Sequence, residues 1–483
     1  SMDVGPDGDI WVAEYAGGGR VRRIRKGAVG TRSAQSISIL SDDGRSYFPG
    51  QLIEPTVSEV RDEGGSLVSG AIVRQVPQGG WSGLRTRDDT DIDGIAFTGG
   101  RANAVAGSYS LQAQLLDLDR TLVDADVSSY AVSKPTGGIV TSWLNVEGAT
   151  NPPSELAPDV AAFDLPIASL LGMTTTSDGT VYVSTTSYGY SVLEIAPNGT
   201  VSIVAGGNGA ADSGDGLPAT AAGLAYPSHL AVDEENGLLY IVCGSSNSHV
   251  RVVDLSSGII SSFAGRGAAT GVNIPALDKA PWPIHQMKLY DGVLYLIGND
   301  GVDIIDTTAA TPTITTWAPE QPCSQPLAIY SLSNNASLAF APDGAVYLHA
   351  YMCGTQVSGT YAYGIVELTE SGTPISLLTG DGNVLYAPPH DAKTADGVYS
   401  TGMVFDSQGN IYFSEYSRNW LRRLTPSGQL STVAGSPSQT LGDADFVPGL
   451  QAGFYYPADL AIMPDDSVLI IDTYNYSIRR YWP

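Results

Sequence analysis

Seven times along the chain an apolar run reaches a turn built on Asp-Gly or its equivalent, leaves it through a short strand, and returns in a second short strand. Residues 2–15 (MDVGPDGDIWVAEY) followed by 20–24 (RVRRI) form one copy, and 460–472 (LAIMPDDSVLIID) followed by 477–480 (SIRR) form another. The remaining copies start near Gly172, His229, His285, Ser337 and Gly402. Short apolar runs with glycine-centred turns and no helical periodicity predict antiparallel hairpins.

A fourth strand follows in six places, at 199–206, 258–265, 312–318, 372–380, 428–435 and 138–148. A four-stranded sheet that recurs along a chain cannot bury both faces alone. Its neighbours must stack on it, and the expected architecture is an all-β ring, a β-propeller of four-stranded blades.

Seven cores but six outer strands leave two closures. In the favoured one, residues 1–30 supply a first blade core, the ring has seven blades, and the strand after Gly138 completes that first blade. In the alternative, the strand after Gly138 pairs with the last core, the ring has six blades, and the first core stands outside. Burial of Ile10, Trp11, Val12, Val21 and Ile24 favours seven. A third arrangement uses the first core to complete a neighbouring copy's ring, which gives self-assembly.

Residues 31–135 break the repeat. About seven short strands with closely spaced turn signals, among them 36–40, 52–73, 90–96 and 106–113, fit two packed sheets better than a blade. Arg74 and Gln75 interrupt the alternation after Val73. The expected division is therefore 1–30, a sandwich over 31–135, and the remaining blades over 136–483.

The repeat core, the segment 472–480 (DTYNYSIRR) and the linker 205–227 (AGGNGAADSGDGLPATAAGLAYP) together resemble the NHL family of propellers. The order of strands and turns in 31–135 resembles the bacterial immunoglobulin-like domains of invasin and intimin adhesins. These resemblances imply NHL-like blades with an inserted or tandem immunoglobulin-like sandwich on an exported bacterial surface protein.

Charge changes the picture of partners. The net charge is −26, and charged residues make up 15% of the chain, against roughly 25% in typical globular proteins. Residues 135–483 carry 10 Lys and Arg against 32 Asp and Glu. Such a surface repels phosphate backbones, so the RNA binding known for some NHL proteins is not expected. No apolar run approaches the length of a membrane-spanning helix. Ser1 enters directly into a strand, which suggests a trimmed amino end and a longer parent.

For chemistry, the first residues of the innermost strands are Ser1, Gly172, His229, His285, Ser337, Gly402 and Asp459. His229, His285 and Asp459 are candidate channel ligands for Zn²⁺ or a similar ion. The placement is similar to that in propeller lyases that cleave peptidyl-hydroxyglycine, but only two histidines align and no arginine holds a matching position. Lining of a polar channel is the simpler reading. His249, His349 and His390 read as structural or solvated.

Asp212, Asp215, Asp391, Asp396, Asp443 and Asp445 lie in linkers, where carboxylates can take Ca²⁺, yet no segment has calcium-loop spacing. Turn formation explains them. Cys323 and Cys353 fall in connections on one face and are a candidate disulfide pair, whereas Cys243 reads as a buried thiol. Tyrosine is plentiful at 25 residues. Tyr188, Tyr190, Tyr361, Tyr363, Tyr474 and Tyr476, with Tyr351, Tyr455 and Tyr456 nearby, are candidates for a partner-binding aromatic face, against a competing role in packing between blades.

No nucleophile elbow, phosphate loop, dinucleotide fingerprint or paired-cysteine zinc motif is present. The sequence thus points to a secreted or cell-surface, non-catalytic binding and assembly scaffold. Its expected partners are proteins or glycans at the loop face, with no nucleic acid. The alternatives are a metal-dependent lyase or hydrolase using the channel, and a propeller module of a larger secreted shell or toxin-like protein.

Overall fold

The computed structural model describes residues 165–483 except 246, 272, 300, 321–327, 333–335, 354–360, 378–389, 392–399 and 437–446. It also describes 134–135, 137–144, 156, 162 and, within 2–132, the strands named below with a few flanking residues.

Six blades form the ring. Blade 1 runs Leu170–Thr175, Val181–Thr185, Ser191–Ile195 and Val201–Gly206, and blade 2 runs Leu230–Asp233, Leu238–Cys243, His249–Asp254 and Ile259–Ala264. Blade 3 runs Gln286–Tyr290, Val293–Gly298, Gly301–Asp306 and Thr313–Pro319. Blade 4 has Ser337–Phe340, Val346–Cys353, Tyr361–Leu368 and Pro374–Leu377, and blade 5 has Ser400–Phe405, Ile411–Glu415, Trp420–Leu424 and Gln429–Ala434. Blade 6 takes its inner three strands, Pro457–Ile462, Val468–Asp472 and Ser477–Trp482, from the end of the chain. Its outer strand is Ile139–Leu144, which pairs antiparallel with Ser477–Trp482 so that Ile139 faces Trp482.

That pairing corrects the favoured seven-blade count to six. The strand after Gly138 closes the last blade instead of completing a first one. The sheet of Met2–Val4, Ile10–Glu14 and Arg20–Ile24 pairs only within itself among the described strands. Each of the six blades has at least four strands among the described residues.

Six apolar clusters alternate with the six blades. Trp143, Leu469, Ile471 and Ile478 of blade 6 pack on Met173, Val181, Val183 and Leu193 of blade 1, which seals the circle. Tyr182 and Val192 of blade 1 meet Leu230, Leu239 and Ile241 of blade 2 in the same way. Because each sheet is covered on both faces, middle strands such as Val181–Thr185 and Val468–Asp472 are buried at every residue and lack an exposed polar face.

The linkers protect the outer edges. Pro218, Pro275 and Pro448 each precede a short 3₁₀ turn, and Ile274–Pro275 and Val447–Pro448 pair with the outer strand of the blade they enter. An open strand edge is thereby capped.

Residues 34–132 form two sheets. One holds Ala34–Ile39, Leu52–Asp62 and Ile95–Arg101, and the other holds Arg45–Tyr47, Leu122–Val132, Gly107–Leu116, Ile72–Gln78 and Asp88–Asp89. Ile37 and Val60 of the first share a core with Val73, Ala113 and Leu115 of the second, as a sandwich requires.

Candidate functional site

The channel positions come first. Gly172 and Gly402 stand where inner strands touch backbone to backbone: a Cβ at Gly172 would lie 2.4 Å from the Ser228 carbonyl oxygen, and one at Gly402 2.7 Å from that of Ala458. The Ser184 and Ser414 hydroxyls donate to these same carbonyls, the second at 2.7 Å. The seams between blades 1 and 2 and between blades 5 and 6 are thus built alike.

His285 and Asp459 have hydrogen-bond partners of their own, and both act on the charge of His229. Burial holds the His229 imidazole down to about 4, with Lys288 and His285 acting in the same direction and Asp459 against it. His285 Nε2 lies 2.5 Å from Asn299 Oδ1. The Asp459 carboxylate is 7% exposed and accepts the Met173 N–H at 3.1 Å and the Leu460 N–H at 3.0 Å. No group of three or more His, Cys, Asp and Glu side chains suited to a metal occurs among the described residues. His229, His285 and Asp459 thus belong to no such group.

Asp212 and Asp215 are structural. Asp212 Oδ2 lies 2.9 Å from His249 Nε2 and 2.5 Å from Arg266, and Asp215 Oδ1 accepts from buried Arg251 at 2.6 Å. Arg251 also donates to the carbonyls of Ser213 and Gly223, each at 3.0 Å. Burial pushes both carboxyls up, but hydrogen bonds from His249 and Arg266 to Asp212, and from Ser262 and Arg251 to Asp215, hold them below the usual carboxylate range. These contacts clamp the glycine-rich linker onto blade 2. The side chains of Asp391, Asp396, Asp443 and Asp445 lie outside the described residues.

Cys243 is a free, buried thiol whose pKa burial pushes up to about 12. Cys323 lies outside the described residues, as does the Cys353 side chain, so the proposed disulfide does too. His349 is fully buried, with its ring stacked 5.5 Å from that of Tyr363.

The tyrosines form the most unusual feature. Nine described residues other than glycine have positive φ, and five are tyrosines: Tyr188, Tyr190, Tyr226, Tyr456 and Tyr476. The others are Asn or Asp, whose short side chains tolerate the left-handed region. A bulky residue there costs about 1–3 kcal/mol and persists only when its surroundings hold it.

They do. The Tyr455 N–H donates to Asp472 Oδ1 at 2.7 Å and the Tyr456 N–H to Asn419 Oδ1 at 2.8 Å. Asp472 is fully buried, with Arg479 3.7 Å away, and its other oxygen accepts from Asn475 at 2.8 Å.

Connections between second and third strands share one face of a propeller with the linkers that enter each blade. On that face Tyr416 of blade 5 lies 4.6 Å from Tyr456 of the linker into blade 6, ring centroid to centroid. Tyr455 and Tyr474 complete a cluster of four, with neighbouring rings 5.1–5.2 Å apart, and Tyr474 is 47% exposed. At the matching seam Tyr190 of blade 1 packs edge-on to Tyr226 at 5.2 Å, and Tyr226 is 51% exposed.

Of the sequence candidates, Tyr190, Tyr474 and Tyr476 therefore belong to this face. Tyr188 does not: its ring is buried and its hydroxyl donates to the Pro166 carbonyl at 2.5 Å. Tyr363 packs on His349 and Tyr351, and the Tyr361 side chain lies outside the described residues. Tyr226 and Tyr416 escaped notice in the sequence. The signal for Tyr226 is the Tyr-Pro pair that recurs at the entry to an inner strand at 226–227 and 456–457; Tyr416 carries no such signal.

No protein-family profile and no curated protein sequence matches the chain. Solved structures do. An auxiliary nutrient binding protein from Bacteroides thetaiotaomicron aligns at 16% identity over 92% of this chain and 97% of its own, with a TM-score of 0.50. An auxiliary nutrient binding protein from Bacteroides ovatus aligns at 16% identity over 94% and 98%, with a TM-score of 0.48. A gluconolactonase from Xanthomonas campestris aligns at 12% identity over 72% and 98%, with a TM-score of 0.40. The likeness to the first of these structures shows the fold alone, a β-propeller. Among the described residues no helix is long and apolar enough to cross a membrane.

Proposed function

We propose that the chain is a non-catalytic binding scaffold of the cell surface or extracellular space, and that it engages a glycan or protein through the tyrosine face of its ring. The observation that carries this reading is the strained tyrosine backbone at two equivalent seams. Packing alone gives no reason to hold a large ring in the left-handed region, where Gly or Asn fits at lower cost. Aromatic rings half-exposed on rigid elements supply contact area at small entropic cost. The acidic, sparsely charged surface agrees with an exported protein, and two of the structural neighbours carry the name nutrient binding protein. The sandwich, with its resemblance to bacterial immunoglobulin-like domains, serves as spacer or lateral contact.

The test is an array of polysaccharides and extracellular proteins probed with the wild-type chain and with a Tyr226→Ser, Tyr456→Gly, Tyr474→Ser variant. Binding is expected to fall at least tenfold in the variant and to survive in His229→Gln, His285→Gln. Loss in the channel variant instead would move the site to the channel.

A further inference from the structure

On the seam where the ring closes, the outer parts of blades 6 and 1 leave a cavity of about 240 Å³. Its apolar walls are Trp143, Trp482, Met463, Pro197 and Pro464. Both tryptophans are buried, at 4% and 3% exposure, and the Met463 side chain is 8% exposed, so the walls are fixed by the core rather than by loose surface groups. The turn residues Asp178 and Gly179 complete the lining with Lys134, Asp465 and Arg480.

The charged groups are arranged unequally. Arg480 is 5% exposed, stacks its guanidinium 3.9 Å over the Trp482 ring, and donates to Ser467 Oγ at 2.7 Å and to Asp465 Oδ2 at 2.9 Å. Two of its donors are thereby taken, and its charge is paired with Asp465. Asp465 Oδ1 is taken by the Ser467 hydroxyl at 2.6 Å, and Asp178 Oδ1 by its own turn, through Thr176 at 2.5 Å and the Thr180 N–H at 2.9 Å. Lys134 differs. Its side chain is 50% exposed, and its ammonium sits 3.1 Å from Asp465 Oδ2, an oxygen that Arg480 already neutralises. An ammonium has three donors, and this one can turn to an incoming anion without leaving Asp465 unpaired.

We propose that this cavity is a second binding site, separate from the tyrosine face, for a small amphipathic carboxylate. The acid group pairs with Lys134 at the mouth, and the apolar body, an aromatic ring or branched chain, fills the space against Met463, Pro464 and Trp143. Apolar walls with one convergent charged group are the usual construction of such sites, and a cavity of this size suits a fragment-sized ligand rather than a polymer. Lys134 lies between the sandwich strand Leu122–Val132 and the ring strand Ile139–Leu144, so occupancy draws on the joint between the two parts of the chain.

The experiment uses the full chain with ¹³C-methyl methionine and 3-phenylpropionate as probe, with 3-phenylpropanol as the same body lacking the charge. The acid is expected to shift the Met463 methyl resonance saturably at sub-millimolar concentration, with the alcohol at least tenfold weaker. Lys134→Gln should erase that difference while leaving alcohol binding unchanged. Met463→Phe, which fills the cavity and removes the reporter methyl, should abolish binding of both as read from saturation transfer to the probes' own proton signals, without changing the melting temperature by more than a few degrees. An unmoved Met463 resonance at millimolar acid, equal affinity for acid and alcohol, or an unaltered preference in Lys134→Gln would each overturn the proposal.

Discussion

Tyr416 and Tyr456 pack at a tilt across the seam of blades 5 and 6 with ring centroids 4.6 Å apart, and Tyr456 does so from a backbone at φ 57°. The strain makes a stability prediction. Ala at 456 removes the ring but keeps the left-handed penalty, whereas Gly removes both. Tyr456→Gly should therefore be more stable than Tyr456→Ala by about 1 kcal/mol, read from denaturant midpoints. Equal stability would mean that the backbone relaxes out of the left-handed region.

Gly172 and Gly402 should tolerate no side chain. A methyl group would sit 2.4 Å and 2.7 Å from the carbonyl oxygens of Ser228 and Ala458, which the Ser184 and Ser414 hydroxyls also hold. Gly172→Ala and Gly402→Ala are each expected to cost about 1–3 kcal/mol. Gly237→Ala, at φ 64° with open space around it, should cost about 1 kcal/mol, from backbone conformation alone. Thermal unfolding of the three variants checks the order.

Six-bladed closure predicts unequal effects at the two ends of the repeat. Val140 and Leu144 are fully buried in the outer strand of blade 6. Val140→Asp, Leu144→Asp should lower stability by several kcal/mol and release the amides of 477–482 to hydrogen exchange. Removal of residues 1–30 should leave those amides protected, because the sheet of Met2–Val4, Ile10–Glu14 and Arg20–Ile24 pairs with no described strand of the ring. A seven-bladed ring would require the opposite outcome for the truncation.

His229 makes a pH prediction. Its imidazole is held down to about 4, against 6.5 in the unfolded chain, so between these values the unfolded state binds the extra proton. Stability from this group is complete above about pH 6.5 and is lost as the pH falls towards 4. His229→Gln should flatten the slope of unfolding free energy against pH in that window. The charged groups that face it are Asp459, Lys288 and His285. An unchanged slope would mean that the imidazole is freely hydrated in the channel.

Hairpins and blades were legible because Asp-Gly turns and apolar alternation are local signals. The closure was not. Trp482 Nε1 donates to Thr141 Oγ1 across 341 residues of sequence, and no local pattern says which core an orphan strand will join. The residue pairs at blade seams were equally silent: glycine at 172 and 402 reads as a gap in a strand until the neighbouring backbone is in view. Tyr188 and Tyr190 look equivalent in sequence, yet three consecutive left-handed residues, Tyr188, Gly189 and Tyr190, leave the first ring buried and the second only partly so. The cavity at the closing seam needed residues 134–197 and 463–482 brought together and had no sequence signature.

The most direct test of the tyrosine face measures stability and ligand binding in the same samples of Tyr456→Gly and Tyr226→Gly, with the ligand found on the array. A binding surface that holds strained tyrosines for function gives variants at least as stable as Tyr→Ala that have lost binding at least tenfold. Tyrosines kept for packing would give variants that lose several degrees of melting temperature and bind as well as the wild type, and that result would contradict the proposed function.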